Sequence, residues 1–326
     1  MPSSPSDIVL LFAHIFFSFE LISDLTALFI ACLNLAIIVP TKLLHANLKS
    51  ILITQSMLFV LYLVARSLML VQKFFSKDIF AQGNMILQST VLFSAIFRRL
   101  LGHALIIERF IATVRKNSHG NFSVFFNLSW FGITFTIALF NTTNYDHSWV
   151  ITRSMLLTSS FSTALSFFEY LSISLIERHN RRKYCDQIEN ATGNTYNIGR
   201  RLNVLDNVRS AKQLSPTFLC LFISNFCLSV VYIAMACNAF PEAYQISLAF
   251  AVASWVDAML GAATELTIMT HHPVLNKRLA HHLKIIFHLK FRRVNAAQQI
   301  TAETALDCGE NVMDMHFKML QESWNK

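Results

Sequence analysis

Charged side chains are scarce in this chain. Asp, Glu, Lys and Arg together make up 14% of its 326 residues, whereas a soluble domain carries about 25%. Hydrophobic residues make up 54% of the chain, and the mean hydropathy is +0.45. Because so few charges cannot cover the surface of a protein of this size, the composition excludes an ordinary soluble protein and indicates a lipid environment.

Glycine, proline and patterned cysteine are also scarce. The chain has 8 Gly and 6 Pro, with no P-loop, nucleophile elbow or glycine-rich phosphate cradle, so the sequence predicts neither an enzyme nor a cofactor. Its six cysteines lack the paired spacing of a zinc site, and its histidines form no metal motif. The stretch 244–270 contains no lysine, which excludes a retinal Schiff base there.

Long apolar stretches are what the sequence has instead. A helix needs about 20 mostly apolar residues to cross the hydrocarbon core of a bilayer. Seven stretches meet this requirement and predict an all-α, seven-transmembrane helix bundle: 14–39, 50–72, 86–112, 122–141, 151–176, 216–239 and 244–270.

Prolines mark several predicted ends of these spans. Pro40 follows the first span, and Pro216 is expected in the first turn of the sixth, where a missing N–H does least harm. The segment 177–215 between the fifth and sixth spans is predicted to be one long polar loop.

The distribution of Lys and Arg predicts the orientation. Eighteen of these residues fall in the loops and tail on one side of the predicted spans, and three on the other. Because positive charge accumulates in cytosolic loops, residues 1–13 are expected outside the cell and residues 271–326 in the cytosol. The net charge of +8 follows from this topology, so no nucleic acid is predicted as a partner. Among the glycosylation sequons, the topology leaves only Asn141 outside.

The segment after the seventh span has the pattern of a helix lying on a membrane. Leucine and isoleucine recur every three to four residues from Leu275 to Leu289, and basic residues occupy the positions between them. An amphipathic helix of this kind binds the inner leaflet through apolar burial and anionic lipid. The predicted lipid-facing cations are Lys277, Arg278, Lys284, Lys290, Arg292 and Arg293.

Several ionisable residues fall inside the predicted spans, where a charge is functional or paired. They include Arg98, Arg99, Asp24, Glu169 and Asp257. Adjacent residues of a helix point about 100° apart, so the two arginines are not expected to share one partner. Asp257, at similar depth, is the first candidate partner, and Asp24 is the second.

Two interpretations of this intramembrane cluster remain open. The charges could be a structural salt bridge between helices, or they could form the floor of a ligand cavity or an activation switch. A polytopic transporter or channel that uses Arg98, Arg99 and Asp257 as a polar pathway is the alternative to a receptor.

Glu108 and Arg109 close the third predicted span within the sequence ERFIAT. Seven spans, an external N-terminus and this Glu-Arg pair together resemble a G-protein-coupled receptor. More closely, the chain resembles the nematode chemoreceptors of the Sra superfamily, which includes classes alpha, alpha-beta, beta and epsilon. ERFIAT at 108–113 is similar to the ER-x-x-A-T of these receptors, and His272-Pro273 closes the seventh span as in several classes.

The segment 196–216 carries a further part of the resemblance. Arg201 matches an arginine of the family motif and Asp206-Asn207 matches its acid-Asn pair, whereas Leu202-Asn203 replaces the usual aromatic-Gln pair. The resemblance implies a chemosensory receptor in the plasma membrane of sensory neurons. Its implied partners are an external small-molecule ligand and a heterotrimeric G protein, with Arg109, Arg200 and Arg201 at the cytosolic face.

Overall fold

The described part of the chain is helical. A computed structural model describes residues 6–41, 46–76, 79–80, 83–114, 120–144, 153–189, 198–271 and 273–287. These residues form eight helices: α1 (Asp7–Ile38), α2 (Ala46–Phe75), α3 (Met85–Val114), α4 (Gly120–Thr143), α5 (Arg153–Glu189), α6 (Ile198–Ala236), α7 (Ala243–His271) and α8 (Pro273–Phe287).

The chain divides into two compact units. The first comprises residues 1–171 and 215–269 and contains the seven-helix bundle; the second comprises 172–214 and 270–326. Within the bundle, α1 packs on α2, α2 on α3 and α3 on α4. Among the described residues, five stretches, in α1, α2, α3, α6 and α7, are long and apolar enough to cross a membrane.

The bundle has polar groups inside and apolar side chains outside. Glu20 and Arg66 are 0% and 6% exposed, whereas Leu157 and Leu128 are 71% and 68% exposed. In water this arrangement would expose large apolar areas. In a bilayer the helices satisfy their own backbone hydrogen bonds and present these side chains to lipid.

Small residues bring α1, α2 and α7 close together. Ala27 and Ala31 of α1 and Ala258 and Ala262 of α7 pack with the buried ring of Phe59 from α2. Alanine and glycine permit close approach of helices in membranes, where packing supplies much of the association energy.

The predicted polar loop at 177–215 is wrong in part. Helix α5 continues to Glu189 and α6 already begins at Ile198, so most of this segment is helical. A 37-residue α5 is about 55 Å long and exceeds the roughly 30 Å hydrocarbon core. Polar residues end the membrane-spanning pattern without ending the helix, because Arg, Lys and Glu are good helix formers.

The predicted position of Pro216 is also wrong, because Pro216 lies inside α6 and not in its first turn. An interior proline removes one backbone hydrogen bond, and membrane helices tolerate this when neighbouring groups satisfy the freed carbonyl.

Helix α8 (Pro273–Phe287) follows α7 and is amphipathic, as predicted. Leu275 and Leu279 are buried, whereas Lys277 and Lys284 are exposed and Arg278 is half-buried. The remaining cations predicted to face lipid, Lys290, Arg292 and Arg293, lie outside the described residues.

Gly261 of α7 is a point where any side chain would clash. A Cβ there would lie 2.5 Å from Phe59 Cζ and 2.8 Å from Arg98 Nη1, and Phe59 is fully buried. We expect Gly261→Ala to destabilise the bundle by about 1–3 kcal/mol, the usual cost of overpacking, as measured by thermal unfolding in detergent.

Gly132 of α4 supplies the matched control, because a Cβ there would meet nothing within 4 Å. Gly132→Ala should be neutral or stabilising by up to about 1 kcal/mol through helix propensity. Equal melting temperatures for the two variants would contradict this account of the packing.

Candidate functional site: a buried charge network and its cavity

A carboxylate from α7 pairs with two arginines of α3 in the bundle interior. Arg98 Nη2 donates to both oxygens of Asp257 at 2.9 Å, and Arg99 Nη2 lies 3.2 Å from Asp257 Oδ1. All three side chains are less than a tenth exposed. The structure therefore brings together the three residues that the sequence singles out as a cluster.

The expectation that the adjacent arginines could not share a partner is wrong. The 100° rotation between neighbouring residues fixes only the direction of each Cα–Cβ bond. Beyond it, an arginine side chain has several rotatable bonds and five N–H donors. Arg98 therefore bonds both oxygens of the Asp257 carboxylate, and Arg99 also reaches Oδ1.

Two further side chains complete this arrangement. Ser224 of α6 donates a short hydrogen bond to Asp257 Oδ1, and the Arg98 guanidinium lies 4.5 Å from the centroid of the Phe59 ring of α2. We call Asp257, Arg98, Arg99 and Ser224 the Asp257 junction. It joins α3, α6 and α7 through charge-assisted hydrogen bonds, which are stronger than neutral ones.

A second ion pair links α1 to α2. Arg66 Nε donates to Glu20 Oε1 at 2.7 Å, and Arg66 Nη2 lies 2.6 Å from the same oxygen. Asp24, one turn after Glu20, is fully buried, and neither of its carboxylate oxygens has a hydrogen-bond partner among the described residues. Asp24, the second candidate partner for the α3 arginines, is therefore bonded to neither.

Glu169 of α5 is bonded to a histidine of α3. Its Oε2 lies 2.8 Å from His103 Nδ1, and His103 Nε2 lies 3.0 Å from Ser162 Oγ of α5. Both His103 and Glu169 are buried. Sequence reasoning identified Glu169 but missed His103, because a lone histidine in an apolar helix has no distinguishing local pattern.

A fifth buried carboxylate, that of Glu265 of α7, accepts hydrogen bonds from α1 and α2. Ser56 Oγ donates to Glu265 Oε2 at 2.7 Å, and Asn34 Nδ2 donates to the same oxygen. Like His103, Asn34 and Ser56 carry no signal in the sequence that separates them from other polar residues of the spans.

A cavity lies directly against the Asp257 junction. Its volume is about 90 Å³, and residues of α2, α3, α5, α6 and α7 line it. Lys73 and Ser247, near the end of α2 and the start of α7, mark the half of the bundle that the topology prediction places outside. The polar or charged lining residues include Tyr62, Arg66, Lys73, Gln88, Arg99, Tyr232, Ser247, Ser254 and Asp257.

Arg99 also borders a second, smaller cavity between α3, α5 and α6. Ser159, Ser162 and Asn225 line this space, and Ser159 Oγ and Ser229 Oγ are hydrogen-bonded at 2.6 Å. One guanidinium therefore reaches both interior spaces and the Asp257 carboxylate.

Asn141, the possible glycosylation site, lies buried in the folded chain. Asn141 is 1% exposed, and its Nδ2, the atom that would carry the sugar, donates to Ile137 O at 2.9 Å and Thr158 Oγ1 at 3.3 Å. The sequon lies inside the end of α4, and helix packing buries the amide.

The predicted cytosolic residues lie on helices, and their own side chains fall outside those that the structure describes. Glu108 and Arg109 belong to α3, which continues to Val114. Four more belong to the first turns of α6, which begins at Ile198: Arg200, Arg201, Asp206 and Asn207.

Comparison with known proteins adds a sequence match and a structural match. The model of the Sre G protein-coupled chemoreceptor family matches residues 65–325. The crystal structure of squid rhodopsin superposes with a TM-score of 0.66 at 12% identity over 91% of each chain, which confirms the predicted all-α, seven-transmembrane fold. A search of curated proteins finds no match.

Because two arginines share one carboxylate, we expect substitutions of these three residues to destabilise the bundle by different amounts. Asp257→Asn leaves two buried guanidiniums without a counter-charge, so we expect a loss of about 3–5 kcal/mol. Arg98→Met or Arg99→Met leaves a one-to-one ion pair and should cost less than half as much. Thermal unfolding of the three purified variants measures this order.

Asp24→Asn is the matched control for the removal of a buried carboxylate. Because Asp24 has no hydrogen-bond partner among the described residues, neutralising it should cost nothing or stabilise the bundle. If Asp24→Asn or Arg99→Met proves as damaging as Asp257→Asn, the description of Asp257 as the shared counter-charge is wrong.

Proposed function

This chain belongs to the Sre G protein-coupled chemoreceptor family, and on that premise we propose that it binds an external small molecule and signals to a cytosolic heterotrimeric G protein. The chain is an integral membrane protein with the fold of squid rhodopsin. Its family and fold are those of receptors and not of enzymes.

One observation carries the proposal: the cavity and the Asp257 junction share residues. Arg99 and Asp257 both line the cavity, and Asp257 Oδ1 accepts a hydrogen bond from Ser224 of α6. A molecule in the cavity therefore contacts groups that bond α3, α6 and α7 to one another.

The proposed mechanism is a shift between two helix arrangements. A ligand changes the equilibrium only by the difference in its affinity for the two states. Contact with Arg99 or Asp257 supplies such a difference, because it competes with or strengthens the bonds of the Asp257 junction. The favoured arrangement opens the cytosolic ends of α3, α5 and α6.

The cytosolic face is proposed from the family resemblance. Arg109 beside Glu108 closes the membrane-spanning part of α3, and Arg200 and Arg201 lie in the first turn of α6. An acid next to an arginine can restrain the arginine in a closed state and release it to a G protein in an open one. Asp206 and Asn207 match the family motif on the same part of α6.

The membrane placement is part of the same proposal. The N-terminus lies outside, the tail lies in the cytosol, and α8 rests on the inner leaflet through Lys277, Arg278 and Lys284, as the charge distribution predicts. We also infer membership of the wider Sra superfamily and a place in the plasma membrane of nematode sensory neurons, on the resemblance of residues 108–113 and 196–216.

Ser224→Ala tests the proposed link between the junction and signalling. The change removes a hydrogen bond from α6 to a carboxylate, an interaction of about 1.5–3 kcal/mol, without leaving a charge unpaired. We expect basal nucleotide exchange to rise by roughly three- to tenfold if half of that energy favours the closed state. Radiolabelled GTPγS binding in membranes with a panel of Gα subunits measures the rate.

Ser160→Ala is the matched control, because Ser160 is exposed on the lipid side of α5. Its exchange rate should equal that of the unmodified receptor at equal surface expression. An unchanged nucleotide-exchange rate in Ser224→Ala would contradict a role of the Asp257 junction in signalling. The absence of nucleotide exchange with every Gα subunit would contradict the receptor proposal itself.

A further inference from the structure

The buried charges of the bundle do not call for an anionic ligand. Among the described residues, the buried side chains include at least as many carboxylates as lysines and arginines. The carboxylates are Glu20, Asp24, Glu169, Asp257 and Glu265, and the cations are Arg66, Lys73, Arg98 and Arg99. An anion in the cavity would therefore add a charge that the interior does not need, and such a charge is costly inside a membrane protein.

A cationic ligand is disfavoured by the side chains that line the cavity. Among the described lining residues, Arg66, Lys73 and Arg99 are cationic, and Asp257 is the one carboxylate. Each of these cations already interacts with a carboxylate of the bundle: Arg66 and Lys73 with Glu20, and Arg99 with Asp257. The surroundings of the cavity therefore favour an uncharged molecule.

Two hydrogen-bond donors at the cavity lack an acceptor among the described residues. The Nε of Arg99 is buried and has no hydrogen-bond partner there. The hydroxyl of Tyr232 from α6 makes no hydrogen bond to a described residue either, although Tyr232 lies close enough to Arg99 to interact with it electrostatically. Both residues line the cavity and its smaller neighbour. Because a buried donor without an acceptor costs free energy, this pair favours a ligand that brings an acceptor.

The ring of Tyr232 is held by its neighbours. It is buried and packs with Met155 of α5, and it meets the Phe250 ring of α7 edge-on with the centroids 6.2 Å apart. A tyrosine has only two rotatable side-chain bonds, so this packing leaves its hydroxyl little freedom. An acceptor that reaches both donors therefore links α3 to α6.

Much of the cavity wall is apolar. Met69, Leu92, Met155, Leu228 and Phe250 line it, so a ligand needs an apolar body as well as an acceptor. The volume of about 90 Å³ is below the roughly 150 Å³ of an engineered cavity that binds benzene. The space therefore fits a compact molecule.

We propose that the ligand of this cavity is a small uncharged carbonyl compound, such as a ketone with a compact apolar body. A carbonyl oxygen has two lone pairs, and it accepts one hydrogen bond from the Tyr232 hydroxyl and one from Arg99 Nε. The body of the ligand contacts the apolar wall. This inference rests on the proposed function only in taking the cavity as the ligand site.

Ketones and charged molecules of similar shape test the preference for an uncharged ligand. The purified full-length protein in lipid nanodiscs is titrated at neutral pH with methyl isopropyl ketone, isobutyrate and isobutylamine, and with butanone, propionate and propylamine, each up to about 10 mM. Binding is measured by calorimetry and thermal stabilisation, with protein-free nanodiscs as the correction for partition into lipid. Because the interior offers no free counter-charge, at least one ketone should bind about tenfold or more tightly than its charged counterparts.

The carbonyl stretching band reports the hydrogen bonds themselves. A ketone labelled with ¹³C at its carbonyl is followed by difference infrared spectroscopy, since hydrogen bonds to a carbonyl oxygen lower its stretching frequency. We expect the bound ketone to absorb at a lower frequency than the same ketone in protein-free nanodiscs. This measurement uses the unmodified protein, so it does not depend on the folding of any variant.

Tyr232→Phe removes one of the two donors and keeps the ring. It should weaken ketone binding by roughly two- to tenfold and move the infrared band part of the way back. Tyr244→Phe is the matched control, because Tyr244 packs against Phe80 and does not line the cavity. This variant should leave both the affinity and the band unchanged.

The outcomes separate this inference from the receptor proposal. Equal or tighter binding of a carboxylate or an amine, no binding of either ketone, an unshifted band, or an unchanged affinity in Tyr232→Phe would overturn the carbonyl ligand while leaving G-protein signalling untouched. The receptor proposal fails separately, through the absence of nucleotide exchange with every Gα subunit, and that failure leaves ketone binding unaffected.

Discussion

The interior of this bundle depends on one carboxylate. Asp257 is the counter-charge of two arginines in a solvent where an unpaired charge costs several kcal/mol. The same carboxylate accepts a hydrogen bond from α6, so the relative positions of α3, α6 and α7 determine whether these charges are satisfied. The backbone hydrogen bonds stabilise each helix, and the Asp257 junction specifies how these three helices pack.

The membrane-spanning helices could be predicted from the sequence because the bilayer imposes a strict requirement on them. Each span must satisfy its own backbone hydrogen bonds in lipid, so length and hydropathy identify a helix without knowledge of its neighbours. The ion pairs could be predicted in part. Charged residues inside the spans are so few that Arg98, Arg99 and Asp257 are the first candidates for partners. The roles of Ser224 and His103 could not be predicted, because a serine or a histidine in an apolar helix has no sequence pattern that reveals a partner on another helix.

Two of the wrong predictions concern places where hydropathy stops being informative. The polar stretch 177–215 looked like a loop because the bilayer signal ends there, although the helices continue beyond it. The same loss of the apolar pattern before Pro216 favours a helix start at this proline, although Pro216 lies inside α6. Asn141 lies at a predicted span end on the outer side, and packing against Thr158 of α5 buries it. Packing between helices decides such cases, and the sequence of one helix does not contain it.

A pairing of one arginine with Asp257 would suffice to join α3 to α7. The second arginine adds a buried cation that Asp257 must share, so it carries a free-energy cost that folding alone does not require. It also lines the cavity. Proteins retain such locally unfavourable residues where function compensates for them. A ligand that contacts Arg99 or Asp257 would change this cost only while it is bound, and the difference between the two states would be the free energy available to move α6.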